Sequence, residues 1–183
     1  MYKRQILPSL YSELEGAALK NIVSCLRDIK YLNHITIGLD KANKSEFIKA
    51  KKFFSDLNQS HSVLWNDSPK MKQLDSDFEK LGIAPNQPGK GKNVWYCMGY
   101  TYSRNEAGSV ALHDCDITTY NRELLARLVY PVSNPHFNYE FCKGYYPRIR
   151  EGALSGRVTR LLVTPLLKTF KKVLGHRDYI EFI

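Results

Sequence analysis

Cysteine is scarce in this 183-residue chain and never paired: Cys25, Cys97, Cys115 and Cys142 stand far apart, with no CxxC or CxxxH spacing. That argues against a zinc site or a disulfide framework and makes a reducing, cytoplasmic setting the expectation. No apolar run approaches the roughly 18–20 residues that span a bilayer, and no signal-peptide pattern opens the chain. Membrane insertion is therefore not expected. Internal repeats and low-complexity tracts are missing. So is GxxxxGK followed by Ser or Thr, which disfavours an ATPase. Acidic residues are outnumbered, 18 against 27 basic ones, for a net charge of +9. Such a balance suits an anionic partner, whether nucleic acid, an acidic membrane surface or a phosphorylated metabolite, without choosing among them.

What is present belongs to a globular domain: 43% hydrophobic and 12% aromatic residues in a chain long enough for one core. The pattern predicts a strand over 5–10 that Pro8 should end or bend. A helix follows from Ser12, with Ser12 and Glu15 at capping-box spacing and Leu14, Ala18, Ile22, Cys25, Leu26 and Ile29 at helical intervals. Strand 34–39 precedes a helix with Phe47, Ala50, Phe54 and Leu57 on one face and lysines opposite. Next come strand 62–66 and a helix carrying Met71, Leu74, Phe78 and Leu81, closed by Gly82. The stretch 83–93 reads as a loop, 94–102 as a helix, 109–114 as a strand and 123–130 as a helix stopped by Pro131. Residues 138–149 look strand-like, with Tyr139, Tyr145 and Tyr146 as sheet packing. A helix over 156–175 turns Val158, Leu161, Leu162, Leu166, Phe170 and Val173 inward and is capped by Gly175. Strand and helix alternate with short connections, which implies a mostly parallel sheet with helices on both faces. MYKRQ running straight into ILPSL, and DYIEFI stopping without punctuation, read as the ends of a fragment, with residues 1–5 candidates for a non-native lead.

In a parallel sheet, ligands bind beyond the carboxyl ends of the strands. Asp114 and Asp116, in ALHDCDITTY, lie beyond one such end. The pair can cap the next segment, or it can share a hard divalent cation whose other positions go to water and phosphate oxygens. PGKGKN, 88–93, is either a surface turn or a phosphate contact, with glycine admitting the backbone and Lys90 supplying charge. LSGRVTR puts Gly156 and Arg157 at a helix start, where free N–H groups favour an anion; a solvated arginine beside a cap is the alternative. His113 is a packed strand-end residue or, less simply, a metal ligand or base. Lys168, Lys171 and Lys172 form a solvated face.

Taken in order, LPSLYSELEG, IGLD, GKGKNVWY, ALHDCD, NYEFCKGYY and GRVTRLLVTPLL resemble the nucleotide-sugar half of glucosyl-3-phosphoglycerate synthases. The resemblance implies a GT-A fold, Rossmann-like α/β, occupying 1–183 as one domain incomplete at its C-terminal end. It implies retaining transfer of glucose from a nucleoside diphosphate, UDP-glucose foremost, to 3-phosphoglycerate, on the way to glucosylglycerate. By motif, Pro8, Ser9 and Leu10 form a turn contacting the nucleoside. Glu13 lies nearby, although Tyr11 and Ser12 stand where better-studied members have Asn-Glu. Asp40 is the acidic position near base and ribose, and Lys90 reaches the diphosphate. Asp114 and Asp116 are the metal motif, with Asp116 the better direct ligand to Mg2+ or Mn2+. Gly156, Arg157, Val158 and Thr159 hold the acceptor's phosphate and carboxylate. A further acceptor-side segment, with a histidine metal ligand, is implied beyond these motifs; His176 comes too early to replace it, so turnover is expected to require that segment. A homodimer is also implied.

Three rivals stand beside this reading. A transferase of the same fold could use another sugar, as in mannosylglycerate synthesis. A basic nucleic-acid-binding domain fits the charge, but the lysines scatter over several helices and no basic–aromatic motif appears; no nucleic acid is expected as partner. A non-catalytic nucleotide-binding module is the third.

Overall fold

The computed structural model describes residues 2–83, 87–105, 108–144, 149–150, 153–154 and 159–174. Contacts divide the chain into two units, 1–143 and 144–183. The first holds a four-stranded, wholly parallel sheet in the order β3-β2-β1-β4. Its strands are β1 (Lys3–Leu10), β2 (His34–Asp40), β3 (Ser60–Trp65) and β4 (Ser109–Leu112). Helices α1 (Ala17–Arg27), α2 (Lys44–Phe54), α3 (Pro69–Lys80), α4 (Lys90–Ser103) and α5 (Arg122–Ser133) supply the crossovers and flanks. The α/β class and the parallel sheet expected from the alternation are both present.

Period-two alternation assigns the faces of β2. Ile35, Ile37 and Leu39 join Leu7, Leu19, Ile22, Leu26, Ala50, Phe54 and Leu125 in one buried cluster. The intervening Thr36 and Gly38 turn to the other face, where the side chains of Thr101 and Asn93 on α4 meet them. The sheet is thus covered on both sides, and β1 and β2 are buried almost throughout, polar positions included.

Pro8 does not end β1. It sits inside a central strand, and the hydrogen-bond parity explains how. Lys3 exchanges bonds with Asn33 on the β2 side, while the Tyr2 carbonyl accepts from Gly108 and Ser109 on the β4 side. Even-numbered positions of β1 therefore face β4. Pairing with β4 stops at Ile6–Leu112, so the N–H that Pro8 lacks would have pointed past the end of β4, where no ladder bond is lost.

Other boundaries differ from expectation for local reasons. The Ser12–Glu15 capping box is not formed. Residues Tyr11–Glu15 make a short 3-10 helix, and α1 begins after Gly16. The box instead forms at α2, where Asn43 Oδ1 accepts from the Glu46 N–H and Glu46 Oε2 from the Asn43 N–H. Strand β3 begins two residues before the expected start, and β4 is two residues shorter. Gly89, at φ 135°, breaks the chain and lets α4 start at Lys90, so Lys90–Asn93 is helix and not loop. Helix α5 runs through Pro131 into its last turn, where one lost bond is tolerated. None of Met71, Leu74, Phe78 and Leu81 is buried.

Helix α3 is held to α4 by a small polar cluster: Asp75 accepts from Lys92 Nζ at 2.6 Å and from the Tyr96 hydroxyl, beside an edge-on Phe78–Trp95 pair. Asp75→Ala is expected to cost about 2 kcal/mol, because it removes a half-buried charged acceptor and strands two donors. The shift of the urea midpoint reads it.

In the second unit, β5 (Ile149–Arg150) and β6 (Ala153–Leu154) pair antiparallel. A π-helical turn (Thr159–Val163) leads into α6 (Thr164–Leu174). The strand expected over 138–149 is not formed at 138–144, and Tyr139 is exposed, not packed in a sheet; Tyr145 and Tyr146 lie outside the described residues. The face expected to turn inward does not: Leu161, Leu162, Leu166, Phe170 and Val173 are all exposed. Val158 and Gly175 lie outside the described residues. No helix among the described residues is long and apolar enough to cross a membrane.

Candidate functional site

The chain passes from β1 outward to β3 and then returns to place β4 on the other side of β1. This reversal makes the β1–β4 boundary the switch point, and in open parallel sheets ligands bind beyond the carboxyl ends of the strands at such a point. Most of the expected donor-side residues gather there.

At the end of β1, Glu13 folds back from the 3-10 helix. Its Oε2 accepts from the Leu10 N–H at 2.9 Å and from Ser9 Oγ at 3.1 Å. Leu10 is an even position, so its N–H faces the region beyond β4, and Glu13 satisfies it. Pro8, Ser9 and Leu10 are thus the last residues of a strand, not a turn as expected, because Glu13 extends the ordered backbone past the point where β4 stops.

From the last two residues of β4 onward the burial alternates: Ala111, His113 and Cys115 are buried, while Leu112 and Asp116 are exposed and Asp114 is partly so. The two carboxylates share the outward positions, and the residue between them anchors the segment. Cys115 lies close to Ser9 and Glu13. Burial first, and then the Glu13 carboxylate, push that thiol far above its ordinary value. His113 is packed: Nδ1 lies 3.2 Å from the Asp114 carbonyl oxygen and the ring rests on Tyr120 at 4.6 Å between centroids. Burial lowers its pKa to about 4.

Lys90, at the first position of α4, forms an ion pair with Asp114 Oδ1. Helix α4 runs antiparallel to the strands, since Asn93 meets Gly38 near the carboxyl end of β2 and Thr101 meets Thr36 further back. Its N-terminus, and Lys90 with it, therefore lies at the rim formed by the carboxyl ends of the strands. Asp40 ends β2, and its Oδ1 accepts from Asn66 Nδ2 at 2.7 Å. The neighbouring turn is fixed by Asp67, which accepts from the Ala42 N–H at 3.0 Å, and by Trp65 Nε1, which donates to the Ala42 carbonyl at 2.7 Å.

The structure thus brings together Ser9, Glu13, Lys90, Asp114 and Cys115, and places Asp40 at the end of the next strand. Gly156, Arg157 and Val158 lie outside the described residues, as does His176; of Thr159 only the backbone is described. Sequence reasoning missed Asn66, Asp67, Asn93 and Cys115. A signal existed for the first two, since Asn66-Asp67-Ser68 directly follows a strand. Among the described residues no group of three or more His, Cys, Asp or Glu side chains converges as a metal cage.

The thiols offer a direct check on this packing. Cys97 is fully buried and its pKa is pushed up to about 12 by burial and then by the Asp40 charge. Cys25 and Cys142 are partly exposed. A disulfide-exchange reagent should titrate two thiols in the folded chain and four in denaturant; rapid reaction of all four without denaturant would contradict the buried setting of Cys97 and Cys115.

No protein-family model matches the sequence. Among curated proteins, the chain is 45% identical over 178 residues to a glucosyl-3-phosphoglycerate synthase of Persephonella marina, covering 97% of this chain and 44% of that protein. It is 39% identical over 169 residues to a glucosyl-3-phosphoglycerate synthase of Methanococcoides burtonii, covering 91% of this chain and 41% of that one. The chain spans less than half the length of these curated relatives. Over the residues that align, the chain is similar to glucosyl-3-phosphoglycerate synthases, and its parallel sheet brings Ser9, Glu13, Lys90 and Asp114 to the switch point.

Proposed function

We propose that this chain is the nucleotide-sugar-binding part of a retaining glycosyltransferase that moves glucose from UDP-glucose to 3-phosphoglycerate. The observation that carries this reading is the meeting of Lys90 with Asp114 at the β1–β4 switch point, in a chain related to synthases of that name. A cationic side chain beside an Asp-x-Asp pair suits a pyrophosphate. In that role Pro8, Ser9, Leu10 and Asp40 border the nucleoside, with Glu13 shaping the strand end. Gly156, Arg157, Val158 and Thr159 receive the acceptor.

The donor set at Asp114 and Asp116 fits a hard divalent cation, Mg2+ or Mn2+: two carboxylates, one exposed and one already balanced by Lys90, leave the other positions to water and phosphate oxygens. Bound there, such an ion would neutralise charge on the departing diphosphate. Lys90 adds a second positive charge at the same leaving group, and its pairing with Asp114 holds the ammonium at the rim beforehand. As the anomeric carbon–phosphate oxygen bond breaks, the acceptor's 2-hydroxyl attacks that carbon from the same face. Its proton passes to the leaving phosphate oxygen, which gives retention without a covalent enzyme intermediate. Arg157 serves orientation of the acceptor. The whole protein works as a homodimer in this reading.

The test supplies 3-phosphoglycerate and Mg2+ with labelled UDP-glucose or GDP-mannose to the protein carrying the further acceptor-side segment. A phosphorylated glucosyl product from UDP-glucose is expected. Product from GDP-mannose alone would overturn the choice of sugar. Nucleic-acid affinity of the chain with no UDP binding would replace the transferase reading by a basic nucleic-acid-binding one.

A further inference from the structure

Asn93 is 2% exposed, on the face of α4 that packs against the sheet. A fully buried carboxamide between a helix and a sheet calls for an explanation. Both of its ends are engaged: Nδ2 donates to the Gly38 carbonyl at 2.9 Å, and Oδ1 accepts from the Cys97 thiol at 3.5 Å. The amide occupies space that only glycine leaves open, because a Cβ on Gly38 would stand 1.7 Å from Asn93 Oδ1 and 2.6 Å from Cys97 Sγ. Helix α4 and β2 are interlocked at this point, and neither can slide along the other without breaking a buried hydrogen bond.

The interlock lies in the first turn of α4. The Asn93 N–H bonds the Gly89 carbonyl at 3.2 Å, closing the turn that carries Lys90. Gly89 itself is in a left-handed conformation, φ 135°, and a Cβ at Gly91 would meet open space. Neither neighbour restrains the turn by packing. Beside the partly exposed Lys92–Asp75 pair, the fully buried anchor of the turn is Asn93, three residues from Lys90, and its partner Gly38 is two residues from Asp40.

We infer that Asn93 is a positioning residue: by locking the start of α4 to β2 at Gly38 it sets the reach of the Lys90 ammonium toward the phosphates of a bound nucleotide. The inference rests on the donor-binding reading above and deepens it. Displacement of a charged contact by about an ångström is enough to lose much of its contribution, so the clamp acts on phosphate binding and not on the nucleoside.

The experiment combines nucleotide titration with amide exchange on the intact chain. In Asn93→Ala, UDP affinity should fall about tenfold, the loss of one charge-assisted contact, while uridine affinity stays unchanged. In a Lys90→Ala background the same substitution should add nothing, since its target is gone. Amide exchange at Asn93 and Val94 should quicken, with the rest of α4 protected. Asn93→Leu, which refills the volume without the hydrogen bond, should behave like Asn93→Ala and guards against a simple cavity effect. Equal losses for UDP and uridine, or additive effects with Lys90→Ala, would overturn the positioning role. A wild-type chain that binds neither ligand would sink the donor-binding reading, and unaltered exchange at Asn93 and Val94 in Asn93→Ala would separately sink the clamp.

Discussion

Asp116→Ala is expected to abolish the gain in UDP affinity that Mg2+ or Mn2+ confers. In the wild-type chain, titration with UDP should be tighter with the ion than in excess chelator by roughly 10- to 100-fold, the size of a charged contact worth about 1.5–3 kcal/mol. In Asp116→Ala the two titrations should coincide at the chelator value. Asp116 is the exposed member of the pair, whereas Asp114 already carries Lys90. Asp114→Ala should therefore show the smaller net loss, because removing that carboxylate also frees the Lys90 ammonium for phosphate. Lys90→Ala, by contrast, should weaken UDP both with and without the ion. An affinity that ignores the ion in the wild-type chain, or a metal response that survives in Asp116→Ala, defeats the assignment.

The second large effect is structural. Gly38→Ala should destabilise the chain by about 3 kcal/mol or more, at the upper end of overpacking costs. The added Cβ would collide with Asn93 Oδ1 and Cys97 Sγ. Strand β2 cannot retreat, since it is bonded to β1 and β3 along its whole length. Asn93 could swing away only by abandoning both of its hydrogen bonds inside the core, which leaves buried polar groups unpaired. Urea unfolding followed by circular dichroism measures the loss. The double variant Gly38→Ala/Asn93→Ala should recover part of the stability, because the collision with the amide is gone while the close approach to Cys97 Sγ remains, and should still bind UDP as weakly as Asn93→Ala. A Gly38→Ala chain within about 1 kcal/mol of wild type would show that α4 packs less closely than described.

Much of this architecture was legible from periodicity. The runs ILPSL and HITIGL and the Phe47–Ala50–Phe54 face each have one low-energy local solution, and their alternation leaves little besides a parallel sheet. The aspartate pair was legible for a similar reason, since a buried strand cannot keep two charges and must end near them. Misreadings fell where a long-range contact overrode the local signal. Pro8 looked like a strand breaker until the short β4 left its N–H side unpaired. Residues 90–93 looked like a loop because Gly89 and Gly91 bracket Lys90, and the helix start there depends on Asn93 reaching a strand 55 residues away. The inward face expected of α6 was inferred from spacing alone, yet spacing says which residues align and not whether anything covers them.

The amino-acid order by itself determined the succession of strands and helices, the surplus of positive charge, and the acidic pair placed just after an apolar run. Those are local properties, set by side-chain chemistry at neighbouring positions. Only the tertiary structure decided that β4 returns to the far side of β1, that Lys90 meets Asp114 across 24 residues, and that a glycine on one strand makes room for an asparagine on a helix. Each of these depends on close packing between segments distant in the chain, where a few tenths of an ångström separate a hydrogen bond from a collision.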